Sequence, residues 1–517
     1  MVEWLAARHW GLRAALSVVA GVTTALGFQP YGWWPLVPLG VAVFTLAILG
    51  ARRVRGAAGL GYAWGVGFLL LGVGWMQVIF VQAMVALVLI EAVFYGVLGA
   101  LIKVAARTRW WPLLAAGCWV GIEFTVARFP FNGFGWMRLG YAMVDSPLAW
   151  VLPLVGVAGL SFVTALLAQG IVWLAAAASR RRVVTAVAAL AAVTALAVGG
   201  TFVPVGTQTG TLNVGYVQGG APGGGVYGIG EARTTTRNHL AEATRLAGRI
   251  QSGELPKPDF VVLPENTTDM DPYTDAETGR LVAQMSARLG VPMFFGAILG
   301  GPGADERQTA SLWWDPQQGE VARYIKRGIV PFGEWVPFRS FLVPLIPELA
   351  YVGAQSIPGT EPGAVHVTLP DGRAITVGVM VCYDLVYDDF AYDTVRYGGQ
   401  VVLVQSSNAM YQGTGQIEQQ FAITRARAME LRREVLVTTT SGVSGLIDAD
   451  GSVRFTLPDH VGASGVVALP ERSGLTPATW LASPLELTVT VLAGLGLIAS
   501  LAYGRMGHER FRNGRTE

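Results

Sequence analysis

The chain has 517 residues, of which 52% are hydrophobic and only 14% charged. A mean hydropathy of +0.45 excludes an ordinary soluble enzyme and implies an integral membrane protein with a soluble part. The net charge of +2 is near neutral and says nothing about nucleic acid, but no basic stripe interleaved with aromatics appears, so nucleic-acid binding is not expected. Two cysteines, Cys118 in an apolar segment and Cys382 far from it, supply neither a disulfide framework nor a metal-ligand cluster.

Taken in chain order, apolar stretches lie near 11–28, 34–50, 57–77, 82–102, 112–127, 151–178 and 183–203, with one more near 480–503. Most approach the ~20 residues that cross a hydrocarbon core, so the pattern predicts eight transmembrane helices. The first follows Arg8 and Arg13 like a signal peptide but lacks a small-residue cleavage site, and is expected to be retained. Arginines and a lysine cluster after the second span (Arg52, Arg53, Arg55), the fourth (Lys103, Arg107, Arg109) and the sixth (Arg180, Arg181, Arg182). The tail adds Arg505, Arg510, Arg512 and Arg515, while the alternate connections hold only Arg128 and Arg138. The positive-inside rule then puts both termini in the cytoplasm and the block between spans seven and eight outside. The expected organisation is 1–205 for the first seven helices, 211–470 for an extracytoplasmic domain, 478–504 for the eighth helix and 505–517 for a basic cytoplasmic tail. Glu91 and Glu123 fall within or beside apolar spans, where an ionisable group is costly. Each is either a neutral, hydrogen-bonded packing residue or a functional one, and Trp119, Arg128 and the Phe134-Gly135-Trp136 loop flank Glu123.

Between Thr211 and Pro470 short β-branched runs alternate with helix-like stretches, which predicts an α/β layered domain. Strands are expected at 212–217, 260–263, 291–298, 375–381, 401–404 and 435–439, and helices at 233–251, 275–289 and 416–433. The last carries Arg425, Arg427, Arg432 and Arg433 and reads as a solvated charged face. The stretch 219–230 is glycine-rich but lacks the Lys-Ser/Thr ending of a phosphate loop, and reads as a mobile loop.

Cys382 stands where the apolar run 374–381 stops, a position from which a strand would present a nucleophile. A thiol needs a base or a cation to become one, with a free pKa of about 8.5. His239, His366 and His460 sit in no context that suggests a Cys-His pair. Glu265, after the run 260–264, could take the thiol proton and later return it, and Lys326 could stabilise a thiolate or an oxyanion. Each residue alone has a plainer reading: an inert buried cysteine, and a solvated Glu or Lys at a strand end.

The ordered set Leu263-Pro264-Glu265-Asn266, Tyr324-Ile325-Lys326, Val330-Pro331-Phe332-Gly333-Glu334 and Val381-Cys382-Tyr383-Asp384 resembles the nitrilase (carbon-nitrogen hydrolase) superfamily. The resemblance implies a Glu-Lys-Cys triad on an αββα sandwich. Such a block between seven spans and one looks like the apolipoprotein N-acyltransferase family, and Trp119, Glu123, Arg128, Phe134-Gly135-Trp136 and Leu139-Gly140-Tyr141 are similar to that family's membrane-half motifs. Nearly the whole chain is covered.

Carried over residue by residue, the resemblance implies Cys382 as acylated nucleophile, Glu265 as general base and Lys326 as oxyanion stabiliser. Glu334 would orient Lys326 or help proton transfer, Tyr383 would line the acyl or lipid pocket, and Asn408 keeps a family position. Glu123, Arg128 and Trp136 would support the site from the membrane half. The family commonly has Glu where this chain has Asp384, and its Ser-Asn-Asp-Ala-Trp-Phe type segment reads Ser407-Asn408-Ala409-Met410-Tyr411. Its Asn-Thr-Gly becomes Thr440-Ser441-Gly442, and its Phe-Pro-Trp becomes Phe134-Gly135-Trp136. The implied reaction moves a fatty acyl chain from a membrane phospholipid, through a thioester, to the α-amino group of a diacylglyceryl-cysteine at an apolipoprotein's amino terminus. It implies a bacterial inner-membrane enzyme working as a monomer, with no metal or organic cofactor. The apolar stretch 335–352, with Trp335, Phe338, Phe341 and Leu342, is expected either to dip into the bilayer interface as a lid or to pack in a core. The rivals are a membrane-anchored amidase using the same triad with water, and a non-enzymatic transporter or binding protein, whose internal repeats are not seen.

Overall fold

The structure is a computed structural model that describes residues 9–176, 179–226, 228 and 230–513, the side chains of 176 and 503–513 excepted. Arg8 and Arg515, and the side chains of Arg505, Arg510 and Arg512, therefore lie outside the described residues. The chain divides into two compact units, residues 1–203 with 480–517, and residues 204–479.

In the first unit helices occupy each of the eight apolar stretches: α1 (Trp10–Ala25), α2 (Leu36–Leu49), α3 (Val54–Gly72), α4 (Val81–Ala105), α5 (Trp111–Val126), α6 (Leu152–Ala176), α7 (Arg180–Thr201) and the helix Pro477–Asn513, which begins at the end of the second unit. Five helical segments among the described residues are long and apolar enough to cross a membrane: Val54–Gly72, Val81–Ala105, Pro147–Ala175, Arg180–Thr201 and Pro477–Ala502. Leu36–Leu49 and Trp111–Val126 are apolar but shorter. The third span ends earlier than the hydropathy suggests, because the chain leaves α3 at Gly72 for a 3-10 turn over Gly74–Val78.

Small residues set the helix spacing. A methyl group at Gly61 would lie 2.2 Å from the Tyr95 carbonyl oxygen, so α3 and α4 approach as closely as they do only because that side chain is absent. Behind this contact Trp64 stacks on Phe68 at 4.7 Å and meets Trp119 edge-on at 5.5 Å.

The second unit is a sandwich of two sheets. One has the order β13 (Ala463–Ser473), β1 (Thr207–Gln218), β2 (Phe260–Val262), β3 (Met293–Gly300), β4 (Glu306–Asp315), β5 (Gly319–Ile325), with β6 (Gln355–Ser356) beside β4. The other runs β12 (Val453–Thr456), β11 (Gly445–Ile447), β10 (Val435–Thr439), β9 (Val401–Ser406), β8 (Ala374–Val381), β7 (Ala364–Thr368). Phe260, Val262 and Trp313 from the first sheet and Val377, Val379 and Leu403 from the second share one buried core. The outer face of the first sheet packs Val261, Leu263 and Phe295 against Leu246 of α8 (Thr234–Gln251) and Val282 and Met285 of α9 (Ala276–Leu289).

A short helix α10 (Arg339–Leu345) precedes β6. On the second sheet's outer side lie α11 (Asp388–Arg396), whose Thr394 meets Gly378, and α12 (Gln416–Leu431), whose Ile417 and Thr424 line one small cavity with Val404 and Val437. The helix Pro477–Asn513 is α13. Strands β8, β9 and β10 are parallel and covered on both faces, which is why they read as unbroken apolar runs instead of alternating ones. The layers are therefore helix, sheet, sheet, helix, as the αββα expectation requires.

Helix α12 corrects one reading. Its arginines are not a solvated face: Arg427 is fully buried, paired with Asp388 at 2.8 Å and Glu430 at 2.5 Å and donating to the Leu385 carbonyl, and Arg432 and Arg433 are buried too. Only Arg425 is partly exposed. A buried guanidinium is tolerated because its fork is matched by two carboxylates and a carbonyl. In the glycine-rich stretch, where residues 227 and 229 lie outside the described residues, Gly220 donates to the Thr440 carbonyl and Gly225 to the Met410 carbonyl.

Candidate active site

Three strand ends converge. Glu265 follows β2 after Leu263-Pro264, Lys326 follows β5 directly, and Cys382 follows β8. Since β5 runs in the same sense as β2, through two antiparallel steps, both deliver side chains at one end of the first sheet. Cys382 has φ +49°, a left-handed conformation that a β-substituted residue rarely adopts, and Asn266, Phe332 and Asn408 share it. Such strained residues persist where the surrounding structure holds them, and they cluster at functional sites.

Lys326 is 1% exposed and donates to Glu265 Oε1 at 3.0 Å and to both oxygens of Glu334, each at 3.0 Å. The second oxygen of Glu265 accepts from the Ser407 backbone at 3.0 Å, and Glu334 accepts from the Val330 backbone at 2.8 Å. Burial alone would push the ammonium's pKa down, but the Glu265 and Glu334 carboxylates outweigh it and hold Lys326 well above its ordinary value. Burial raises the Glu265 pKa, with Lys326 opposing. Burial and the Glu265 carboxylate both raise the Cys382 thiol, again against Lys326. The resting pattern is therefore a neutral thiol, a fixed ammonium and a carboxylate with raised affinity for a proton. That set can remove a proton from sulfur during attack, not before it.

Three residues take positioning roles that the sequence reading did not assign to them: Asp384, Gln405 and Gln420. Asp384 accepts from Val381 N at 2.9 Å, Gly328 N at 2.6 Å and the Tyr324 hydroxyl at 2.9 Å, tying the nucleophile turn to the Lys326 loop. The shorter Asp arm thus has a full set of donors. Gln405 on β9 bridges the sheets: its amide donates to the Leu263 carbonyl at 2.6 Å and the Phe294 carbonyl at 3.1 Å, and its oxygen accepts from Ser311 at 2.5 Å. It fixes the strand end that carries Glu265. Gln420 on α12 places its amide nitrogen 3.7 Å from Cys382 Sγ and 3.0 Å from Ser406 Oγ, while its oxygen accepts from Asn408 at 2.6 Å. The signal available for Gln405 and Gln420 was a polar residue inside an apolar run or helix.

The remaining expected residues fall as follows. Tyr383 is buried and meets Tyr387 edge-on at 5.7 Å. Tyr411 has its pKa raised by burial and by Cys382, which puts it within electrostatic reach of the thiol. None of the three histidines partners Cys382: His239 bonds the Thr235 carbonyl, His366 bonds Thr376 and His460 pairs with Asp459. Residues 335–352 do not form a core; Phe338 is 69% exposed, Phe341 66% and Leu345 64%, with Trp335 and Leu342 partly covered. Among the described residues no group of three or more His, Cys, Asp or Glu is placed to hold a metal ion.

In the membrane-type unit, Glu123 accepts from Trp119 at 3.1 Å and Leu139 N at 2.8 Å and faces Arg138 at 3.6 Å. Arg138 also pairs with Glu486 at 2.7 Å, which in turn takes Arg128 at 2.9 Å. Trp136 is buried near Trp75, and Glu91 shares a small cavity with Glu123, Tyr95 and Arg138. Arg138 and Glu486 are the members the sequence reading lacked.

Two family models match: the apolipoprotein N-acyltransferase N-terminal domain over residues 20–170 and carbon-nitrogen hydrolase over residues 232–461. The apolipoprotein N-acyltransferase of Mycolicibacterium smegmatis is 29% identical over 96% of this chain and 86% of its own, and that of Bordetella bronchiseptica 29% over 95% and 97%. Over nearly its whole length the chain is similar to apolipoprotein N-acyltransferases. Its likeness to that family extends through both units, since the first model lies in one and the second in the other. An amidase from Nesterenkonia sp. aligns with 56% of this chain and 98% of its own, at a TM-score of 0.38 and 16% identity; the sandwich assignment for this chain rests on its strand order instead.

Proposed function

We propose that this chain transfers a fatty acyl chain from a membrane phospholipid to the α-amino group of an apolipoprotein's diacylglyceryl-cysteine, through a thioester on Cys382. The observation that carries this reading is a single ammonium, Lys326, held 3.0 Å from Glu265 and from Glu334 beside a thiol at a strand end, in a chain that also has membrane-length apolar helices. In the first half-reaction Glu265 takes the Sγ proton as sulfur attacks the ester carbonyl, and Lys326 offsets the oxyanion's charge. The tetrahedral adduct collapses, the C–O bond breaks, and Glu265 returns the proton to the departing lysophospholipid. In the second, Glu265 removes a proton from the incoming amine, the C–N bond forms, and the C–S bond breaks to regenerate the thiol. A covalent carrier suits two bulky lipids that need not bind together.

In this reading Glu334 fixes Lys326 from the side opposite Glu265, Tyr383 and Tyr411 shape the acyl pocket, and Asn408 holds Gln420. The protein works as a monomer in the bacterial cytoplasmic membrane, with both termini in the cytoplasm and the Cys382 block outside. Phe338, Phe341 and Leu342 enter the bilayer interface and admit lipid. Replacing Phe341 and Leu342 with serine lowers turnover of membrane-embedded substrate about a hundredfold, the scale of two lost apolar burials at about 1.5 kcal/mol each; unchanged turnover ends the lid assignment.

The deciding measurement is intact mass after incubation with phospholipid. Wild type gains a hydroxylamine-labile fatty-acyl mass and Cys382→Ala gains none. Absence of the adduct in wild type, with ammonia released from small amides, would replace this reading with an amidase.

A further inference from the structure

A second lipid-sized site lies in the first unit, on the face shared by α5 and α13. The helices run antiparallel there, with Gly117 against Ala493, Gly121 against Thr490 and Leu114 against Gly496. Beside this seam opens a groove of about 880 Å³, walled by Leu113, Gly117, Val489, Leu492, Gly496 and Ala499. That volume falls within the range of about 300–1,000 Å³ usual for ligand sites. From Val489 to Ser500 a helix rises roughly 16 Å at about 1.5 Å per residue, close to half of a hydrocarbon core of about 30 Å. The groove is thus about as long as one leaflet is deep.

Its mouth differs in chemistry from its walls. Arg107, Arg109 and Trp110 line that end, on the connection between α4 and α5. The Arg109 guanidinium lies 5.1 Å from the Trp110 ring centre, and Trp110 is 59% exposed, the posture of a residue at the headgroup level. Neither Arg107 nor Arg109 makes an ion pair among the described residues, although Arg128 and Arg138 of the same unit are both matched to Glu486. Two cations without an ion pair among the described residues, at the end of an apolar trough about as long as one leaflet is deep, complement an anionic headgroup on acyl chains.

We propose that this groove binds an anionic glycerophospholipid of the arginine-rich leaflet, its phosphate on Arg107 and Arg109 and one acyl chain along Leu113, Leu492 and Ala499. The site is independent of the acyl-transfer reading: it uses no residue of the Cys382 block and requires no chemistry. The test uses the full chain in detergent, titrated with phosphatidylglycerol or phosphatidylcholine and read by native mass spectrometry. Wild type retains one phosphatidylglycerol in preference to phosphatidylcholine, and the preference shrinks as salt rises. Arg107→Gln with Arg109→Gln weakens phosphatidylglycerol retention about thirtyfold, on the scale of about fivefold for each arginine near a membrane surface. Ala499→Phe, on an exposed helix position, fills the trough and lowers retention of both lipids while leaving the arginines in place. Equal retention of the two lipids by wild type overturns the proposal, as does unchanged retention in the arginine variant or in Ala499→Phe. So does displacement of the lipid by millimolar inorganic phosphate, which would reduce the site to a surface anion contact.

Discussion

Each unit of this chain buries a cation between two carboxylates, and the two clusters are built for different ends. In the sandwich Lys326 lies 3.0 Å from Glu265 and Glu334; in the helical unit Arg138 lies 2.7 Å from Glu486 and 3.6 Å from Glu123. Lysine is a compact charge on a flexible stem, and its cluster includes a thiol whose proton Glu265 can take. Arginine is a planar fork, and the carboxylates it meets are claimed on their other sides by Trp119, Leu139 N and Arg128. The cluster holds no thiol among the described residues. One cluster includes a thiol, whereas the other joins the 123–139 segment to the last helix, so similar charge patterns separate into chemistry and architecture by what stands beside the cation.

The largest effects that would break this contrast are on the lysine side. Glu265→Gln keeps the shape and removes the base, and acyl transfer falls about 10²- to 10⁴-fold. The wild-type rate falls with acid as Glu265 takes a proton, and because burial raises its pKa that limb lies at higher pH than for an ordinary glutamate. Lys326 is held well above its usual value and contributes no loss at mildly alkaline pH. A pH-rate profile whose acid limb survives Glu265→Gln would remove Glu265 from the role.

On the arginine side the effect is on stability. Arg138→Met leaves Glu486 and Glu123 facing each other in a buried setting, and breaking such a pair costs about 3–5 kcal/mol. Thermal unfolding in detergent should show a clear drop in Tm, with the rate of Cys382 alkylation at fixed pH unchanged below the transition. A variant as stable as wild type but slow in alkylation would join the two clusters functionally and erase the distinction.

How much of this was legible follows the same division. Glu265 and Cys382 could be read because β2 and β8 are buried on both faces and end abruptly. Strand β5 could not, since Gly319–Ile325 mixes Glu320 and Arg323 into an edge that half faces outward, and Lys326 was located by its motif instead. Strand β4 was hidden because the small and polar residues Thr309, Ala310 and Ser311 break its apolar run, although they are buried. The partners of α12 were misread because arginine count says solvent, while Asp388 and Glu430 cancel that charge in three dimensions. Glu486 carried a signal, an acid within an apolar helix, but its partner Arg138 is 348 residues away in sequence.

The smallest expected effect tests whether the thiol is supported by more than the charged triad. Gln420 donates toward Cys382 Sγ at 3.7 Å, and its oxygen is occupied by Asn408, so the amide cannot turn round without losing that bond. The donation favours the thiolate and opposes the rise that burial imposes. Gln420→Leu removes the donor at similar volume, raises the thiol pKa further and slows alkylation at a given pH about fivefold, the scale of one net hydrogen bond of about 1 kcal/mol. Because sulfur attacks in one half-reaction and departs in the other, the same variant also slows overall acyl transfer. Faster alkylation, or no change in either reading, would assign the amide network to packing alone and leave Lys326 as the sole support of the thiolate.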